Sequence, residues 1–213
     1  MTVINSIEIN NFRGIKQLTV SDFSKINLIV GDNNSGKTTF LEAIQLLFAK
    51  PQLSYVRNVI NQRTILKPNN SFYTSFIKMF NIQHSSDRLE FDIYAHTNNG
   101  PFEFQLSGNE KSVPGDEVLQ ISKMSPRQKI EYRLNSSYIP DTARVFTGSI
   151  ATQNRGKEYE NNISCTSLDD RISGPLVKKE VHYIPSFGHL RYDLIKNIVE
   201  KPDYKQLAIN VLK

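Results

Sequence analysis

The chain has 213 residues, 38% hydrophobic and 22% charged, enough for one sizeable α/β domain or a domain with an appended subdomain. No apolar run reaches the ~18 residues of a membrane helix. Met1 to Asn5 opens no signal peptide, and a lone cysteine, Cys165, excludes an internal disulfide framework and fits a reducing, cytoplasmic setting. Lys plus Arg, 26 against 21 Asp plus Glu, gives +5, which a nucleic-acid partner would suit but a solvated, mildly basic surface explains better.

Ser6 to Asn10 alternates apolar and polar residues and reads as a first strand. Asn11-Phe-Arg-Gly14 turns, and Ile15 to Val20 reads as a second strand. Ile26 to Val30 is nearly all apolar and β-branched, so a third strand, central and buried on both faces, is expected. Two hairpin-like strands this early exclude the simpler order in which a phosphate loop follows the first strand.

Gly31, Gly36, Lys37 and Thr38 then fit G-x-x-x-x-G-K-[ST], and apolar periodicity at Phe40, Leu41, Ile44, Leu47 and Phe48 leads out as a helix over about 38–49. The spacing has a mechanism. Glycines fold the loop tightly enough for successive N–H groups to point inward at an anion, and the positive helix end faces the same place. Lys37 supplies charge for the β- and γ-phosphates of a nucleoside triphosphate, and the Thr38 hydroxyl is a hard ligand for Mg²⁺. Ser35 and the backbone of Asn33, Asn34, Gly36 and Thr39 complete the cradle, the asparagines tolerating unusual backbone angles.

Pro51 stops the helix, and short helices are expected near 55–60 and 72–80. From Arg88 the pattern changes to alternation. Strands are expected at 88–95 and 102–106, joined across Asn98-Asn-Gly-Pro101 as a hairpin, and at 118–121, 129–134 and 144–150 in an antiparallel layer. Residues 153–175 are polar and read as a mobile loop. Val181 to Ile184 reads as a short strand stopped by Pro185, followed by helices at 191–200 and 203–212. His182 and His189 lack further ligands at metal spacing and are read as non-metal.

Two pieces together carry a resemblance. Ile7-Glu-Ile-Asn-Asn-Phe-Arg-Gly-Ile15 followed by Ile29-Val-Gly-Asp-Asn-Asn-Ser-Gly-Lys-Thr-Thr-Phe-Leu-Glu-Ala-Ile44 resembles the opening of ABC-type ATPases of the RecF/SMC/OLD group. The match is specific over residues 1–50 and only architectural from 88 onward. The resemblance implies an α/β, P-loop NTPase lobe in one piece: strands, loop and helix over 1–50, a helical connection and antiparallel layer over 51–152, the loop at 153–175, and a strand with helices over 176–213. It implies ATP and Mg²⁺ as ligands, Lys37 as the catalytic cation, and Arg13 near the nucleotide. It also implies Arg57 and Arg63 toward DNA.

No LSxG signature and no apolar strand ending in Asp-Glu occurs in these residues, so the chain reads as an N-terminal lobe ending before the catalytic half. The family's Q-loop residue is Gln153 or is displaced by the turn Pro185 to His189, which has no Gln. In full length, the resemblance implies a homodimer closed through the nucleotide, acting on DNA or on a nuclease partner in repair or phage defence. A regulatory nucleotide-binding module without useful turnover is the alternative, as is a transporter subunit, which the Asn-Phe-Arg-Gly turn and the long antiparallel layer disfavour.

Overall fold

A computed structural model of the chain describes residues 2–64, 71–81, 88–115 and 142–167, with positions 117, 118, 126 and 130 between the last two. Contacts divide the chain into Met1–Glu180 and Val181–Lys213. All of the second unit, and with it the expected strand at 181–184, both terminal helices and the two histidines, lies outside the described residues.

The first unit is built on a six-stranded antiparallel sheet, order β2-β1-β3-β4-β5-β6. Its strands are β1 (Ile4–Phe12), β2 (Ile15–Ser21), β3 (Arg88–Thr97), β4 (Gly100–Pro114), β5 (Thr142–Asn154) and β6 (Lys157–Thr166). Helices α1 (Lys37–Leu47), α2 (Leu53–Thr64) and α3 (Phe72–Ile77) accompany it, and further helical positions fall at 115, 117, 118, 126 and 130.

Alternation decides the two faces. The register aligns Ile9 with Ile93 and Ile93 with Phe104, and Ile7 with Ala95 and Ala95 with Phe102, so one face is continuously apolar. The helices bring Phe40, Ala43, Leu46 and Leu47 from α1, Val56, Val59 and Ile60 from α2, and Phe72 and Phe76 from α3 into the same core. Those spacings of three and four residues are why the segments are helical. Burial of each such large side chain is worth roughly 1.5–3 kcal/mol.

The other face is polar. Asn10 donates to Asp92 at 2.8 Å and Gln105 to Glu90 at 2.7 Å. Glu103 lies across from Tyr94 and Gln153, and burial, then repulsion from Asp92 and Glu158, pushes its carboxyl above the usual range.

Local chemistry sets the turns. Arg155 (φ 52) and Gly156 (φ 77) both take the positive angles that a two-residue type I′ turn demands, closing β5 onto β6. In α3, the Ser71 hydroxyl accepts from the Thr74 N–H at 3.2 Å and caps the helix.

Tyr73 pins α3 to the sheet, donating to Glu110 of β4 at 2.9 Å, while Arg144 of β5 lies 3.7 Å from the same carboxylate. Burial, and then the Glu110 hydrogen bond and charge, raise this phenol far above the ordinary tyrosine range. A group whose pKa is raised on folding stabilises fully below its unfolded pKa and loses that contribution as pH rises above it. Stability should therefore fall above about pH 10, the unfolded tyrosine value. Tyr73→Phe should flatten that fall, read by chemical denaturation at successive alkaline pH values.

Three sequence expectations are corrected. Ile26 to Val30 joins no strand: Ile26 is 84% exposed, Leu28 86% and Val30 77%. An apolar run specifies a preference for burial but not a partner, and β1 already has β2 and β3 on its two sides. Val118 and Ile130 are helical rather than extended, the rest of their segments lying outside the described residues. The register leaves no slot between β4 and β5, which pair directly from Phe102–Asn154 to Pro114–Thr142. The expected loop at 153–175 is instead the end of β5, a turn and β6 as far as Thr166. Residues 157–162 are exposed, so this edge strand gains little from apolar alternation.

Candidate functional site

Gly31 to Thr39 forms a closed loop against the start of α1. Lys37 folds back, its ammonium donating to the backbone carbonyls of Gly31 at 2.7 Å and Asp32 at 2.6 Å, with the Ser35 hydroxyl at 3.4 Å. The Ser35 N–H donates to the Asp32 carbonyl at 3.2 Å. Asn34 (φ 69) and Gly36 (φ 93) take left-handed angles that reverse the chain before the helix. At Gly31, whose φ is 154, a Cβ would meet Ser35 Oγ at 2.7 Å, so a side chain there would turn the Ser35 hydroxyl away from Lys37.

Helix α1 starts without a side-chain cap and has no acidic residue in its first turn. Its first backbone bond runs from Phe40 N–H to the Gly36 carbonyl at 2.9 Å. An uncapped helix start beside a lysine is a donor set suited to an anion. The Thr38 side chain is exposed on this turn, whereas Thr39 is buried.

A groove of about 790 Å³ runs from Ser35, Gly36 and Lys37 along Gly14, Leu18 and Phe23, with Ile26 to Val30 on its edge. Its lining contains no Asp or Glu.

Arg13 precedes the groove-lining Gly14 and meets a partner on α1. Its Nε lies 2.8 Å from Glu42 Oε2, with the side chains 12% and 1% exposed. Arg13 occupies the two-residue turn between Phe12 and Ile15 at φ 53, and its N–H donates to the Met79 carbonyl at 2.8 Å. The partner was missed. Glu42 falls within the buried α1 stripe of Thr39, Phe40, Ala43 and Leu46, and a carboxylate there is the signal that could have found it.

Arg57, Arg63 and Gln153 belong to other elements. The Arg57 guanidinium lies over the Phe72 ring at 5.3 Å, tying α2 to α3. Arg63 belongs to α2. Gln153 lies within β5 and contacts Glu158 at 3.5 Å, on the polar face opposite the helices. The other Q-loop candidate, Pro185 to His189, lies outside the described residues. Among the described residues no group of three or more His, Cys, Asp or Glu is placed to hold a metal, and no helix is long and apolar enough to cross a membrane.

The family model for the AAA ATPase domain matches residues 3–205. This chain belongs to that family. The AAA ATPase domain is a P-loop NTPase fold, and partial matches to RecF proteins support the RecF-like, ABC-type group within it.

The domain is 42% identical over 48 residues to an ATP/GTP phosphatase of Helicobacter pylori, covering 22% of this chain and 13% of that protein. It is 48% identical over 44 residues to the DNA replication and repair protein RecF of Idiomarina loihiensis, covering 21% and 12%. With RecF of Agathobacter rectalis it shares 32% over 80 residues, covering 33% and 22%. The matched stretch thus spans less than a quarter of each of these relatives.

Proposed function

We propose that this AAA ATPase domain binds ATP with Mg²⁺ through Gly31, Asn33, Asn34, Ser35, Gly36, Lys37, Thr38 and Thr39. The carrying observation is the Lys37 ammonium held by the Gly31 and Asp32 carbonyls at an uncapped helix start. Those carbonyls hold the ammonium at the mouth of the loop, and the longer Ser35 contact is the one that a phosphate oxygen displaces most readily. The exposed Thr38 hydroxyl offers a hard oxygen for Mg²⁺, which when bound neutralises phosphate charge. With no acidic residue in the first turn of α1, a cation at Thr38 would keep a water-rich shell.

In a longer protein, the domain would close on a second copy through the nucleotide and act on DNA or gate a nuclease partner, as in repair or phage defence, in the cytoplasm. The RecF relatives support the DNA part of this reading. DNA would not approach the polar sheet face, where Glu8, Glu90, Asp92, Glu103 and Glu158 would repel it. The acid-free groove also favours, as a second reading, a regulatory module that binds without useful turnover.

Calorimetric titration of ATP–Mg²⁺ tests the binding. Lys37→Ala should weaken it by roughly 1–3 kcal/mol, the scale of a lost charged hydrogen-bond partner. Equal affinity in wild type and variant would refute the assignment.

A further inference from the structure

A phosphate-binding loop does not itself require a buried ion pair, yet α1 supplies the carboxylate of one. Taking two charges out of water is costly, and an apolar pair of similar volume often serves stability as well or better. The position of the Arg13–Glu42 pair is therefore informative about what it does beyond packing.

Arg13 sits in the β1–β2 turn, and the next residue, Gly14, lines the groove. Glu42 lies five residues after Lys37 on one continuous helix, and Lys37 lines the same groove beside Ser35 and Gly36. The 2.8 Å contact thus ties the turn that forms one wall to the helix whose first turn forms another. The turn is also held from behind. Arg13 N–H donates to Met79 at 2.8 Å, Asn81 N–H donates to Asn11 at 2.9 Å, and Phe12 bridges to Phe80. One side of the clamp is consequently anchored to the sheet and the segment after α3, and the Glu42 carboxylate transmits that anchorage to α1.

We propose that Glu42 is a positioning residue for the anion site. Through Arg13 it fixes the spacing between the Arg13–Gly14 turn and the Ser35–Lys37 end of α1. The proposal rests on reading the Lys37 loop as a nucleotide site, but its first test needs no nucleotide. The carboxylate acts through the guanidinium and a rigid helix, and it contacts no ligand.

Two variants in the 213-residue chain separate positioning from simple stability. Glu42→Gln keeps the shape and removes the charge, while the pair Arg13→Met with Glu42→Leu replaces the ion pair by apolar side chains. Amide hydrogen exchange without nucleotide should show faster exchange at both 12–15 and 35–39 in Glu42→Gln, and ATP–Mg²⁺ affinity should drop about tenfold, an ordinary coupling between sites. The apolar pair should regain thermal stability while exchange at 35–39 stays fast. It also supplies the answer if Glu42→Gln does not fold. Wild-type exchange at 35–39 in the apolar pair, or unchanged exchange in Glu42→Gln, would overturn the proposal. Failure of wild type to bind ATP would refute the nucleotide assignment, while the exchange comparison still decides whether Glu42 couples the two walls.

Discussion

Purified residues 1–213 should bind ATP but release phosphate at or near the uncatalysed rate. Phosphoryl transfer needs a group that orients the attacking water and a positive group that gains contact as charge develops on the γ-phosphate. Lys37 and the loop amides would hold ground state and transition state with little discrimination, and such uniform binding does not raise the rate. Glu42 is the nearest acidic residue on α1, but its carboxylate is 1% exposed and committed to Arg13. The groove lining supplies no other acid. A longer form carrying a water-orienting carboxylate and a signature loop should exceed the isolated chain by several orders of magnitude. Steady-state phosphate release decides the matter: a Lys37-dependent rate near ~1 s⁻¹ from this chain, within the enzymic range, would mean that some carboxylate of these 213 residues is catalytic.

The second large effect is on stability. Phe76 of α3 is fully buried and meets Phe72, Phe80 and Phe146 with ring centroids 5.0–5.8 Å apart. Two of the contacts are edge-on, the geometry that adds attraction beyond burial. Phe80 also meets Phe91 and Phe146, so the ring system joins α3 to β3 and β5. Phe76→Ala should cost about 3–5 kcal/mol, because neighbouring rings cannot collapse into the space left. Tyr159→Ala, on the exposed part of β6, should stay within about 0.5 kcal/mol of wild type. Urea denaturation of both variants makes the comparison, and similar midpoints would mean that this ring cluster does not hold the domain together.

Legibility in the sequence follows how locally each feature is determined. The loop and α1 were readable because glycine spacing, Lys37 and the apolar period act within a few residues of one another. The β3–β4 hairpin was readable for the same reason, with clean alternation on both sides of Asn98-Asn-Gly100. β6 was not, since a largely exposed edge strand can be polar throughout. Its local clue was the Arg155–Gly156 turn. The Arg13–Glu42 contact was hidden because its partners lie far apart in sequence and neither residue type announces the other. Ile26 to Val30 shows the opposite limit: its composition is apolar and β-branched, yet the buried central strand this suggests does not form, because pairing depends on where neighbours run.

That uncovered stretch also governs how the molecule behaves among copies of itself. Ile26-Asn-Leu-Ile-Val30 is uncharged, free of proline and rich in branched side chains, the composition from which stacked β-aggregates grow. Backbone outside any ladder leaves hydrogen-bonding groups open to a neighbour's strand, and the exposed apolar side chains reward the encounter. Lys25 and Asp32 flank it as charged gatekeepers, placing repulsion at both ends of the sticky segment. Any self-association through this segment would follow its composition and exposure rather than the folding free energy of the domain.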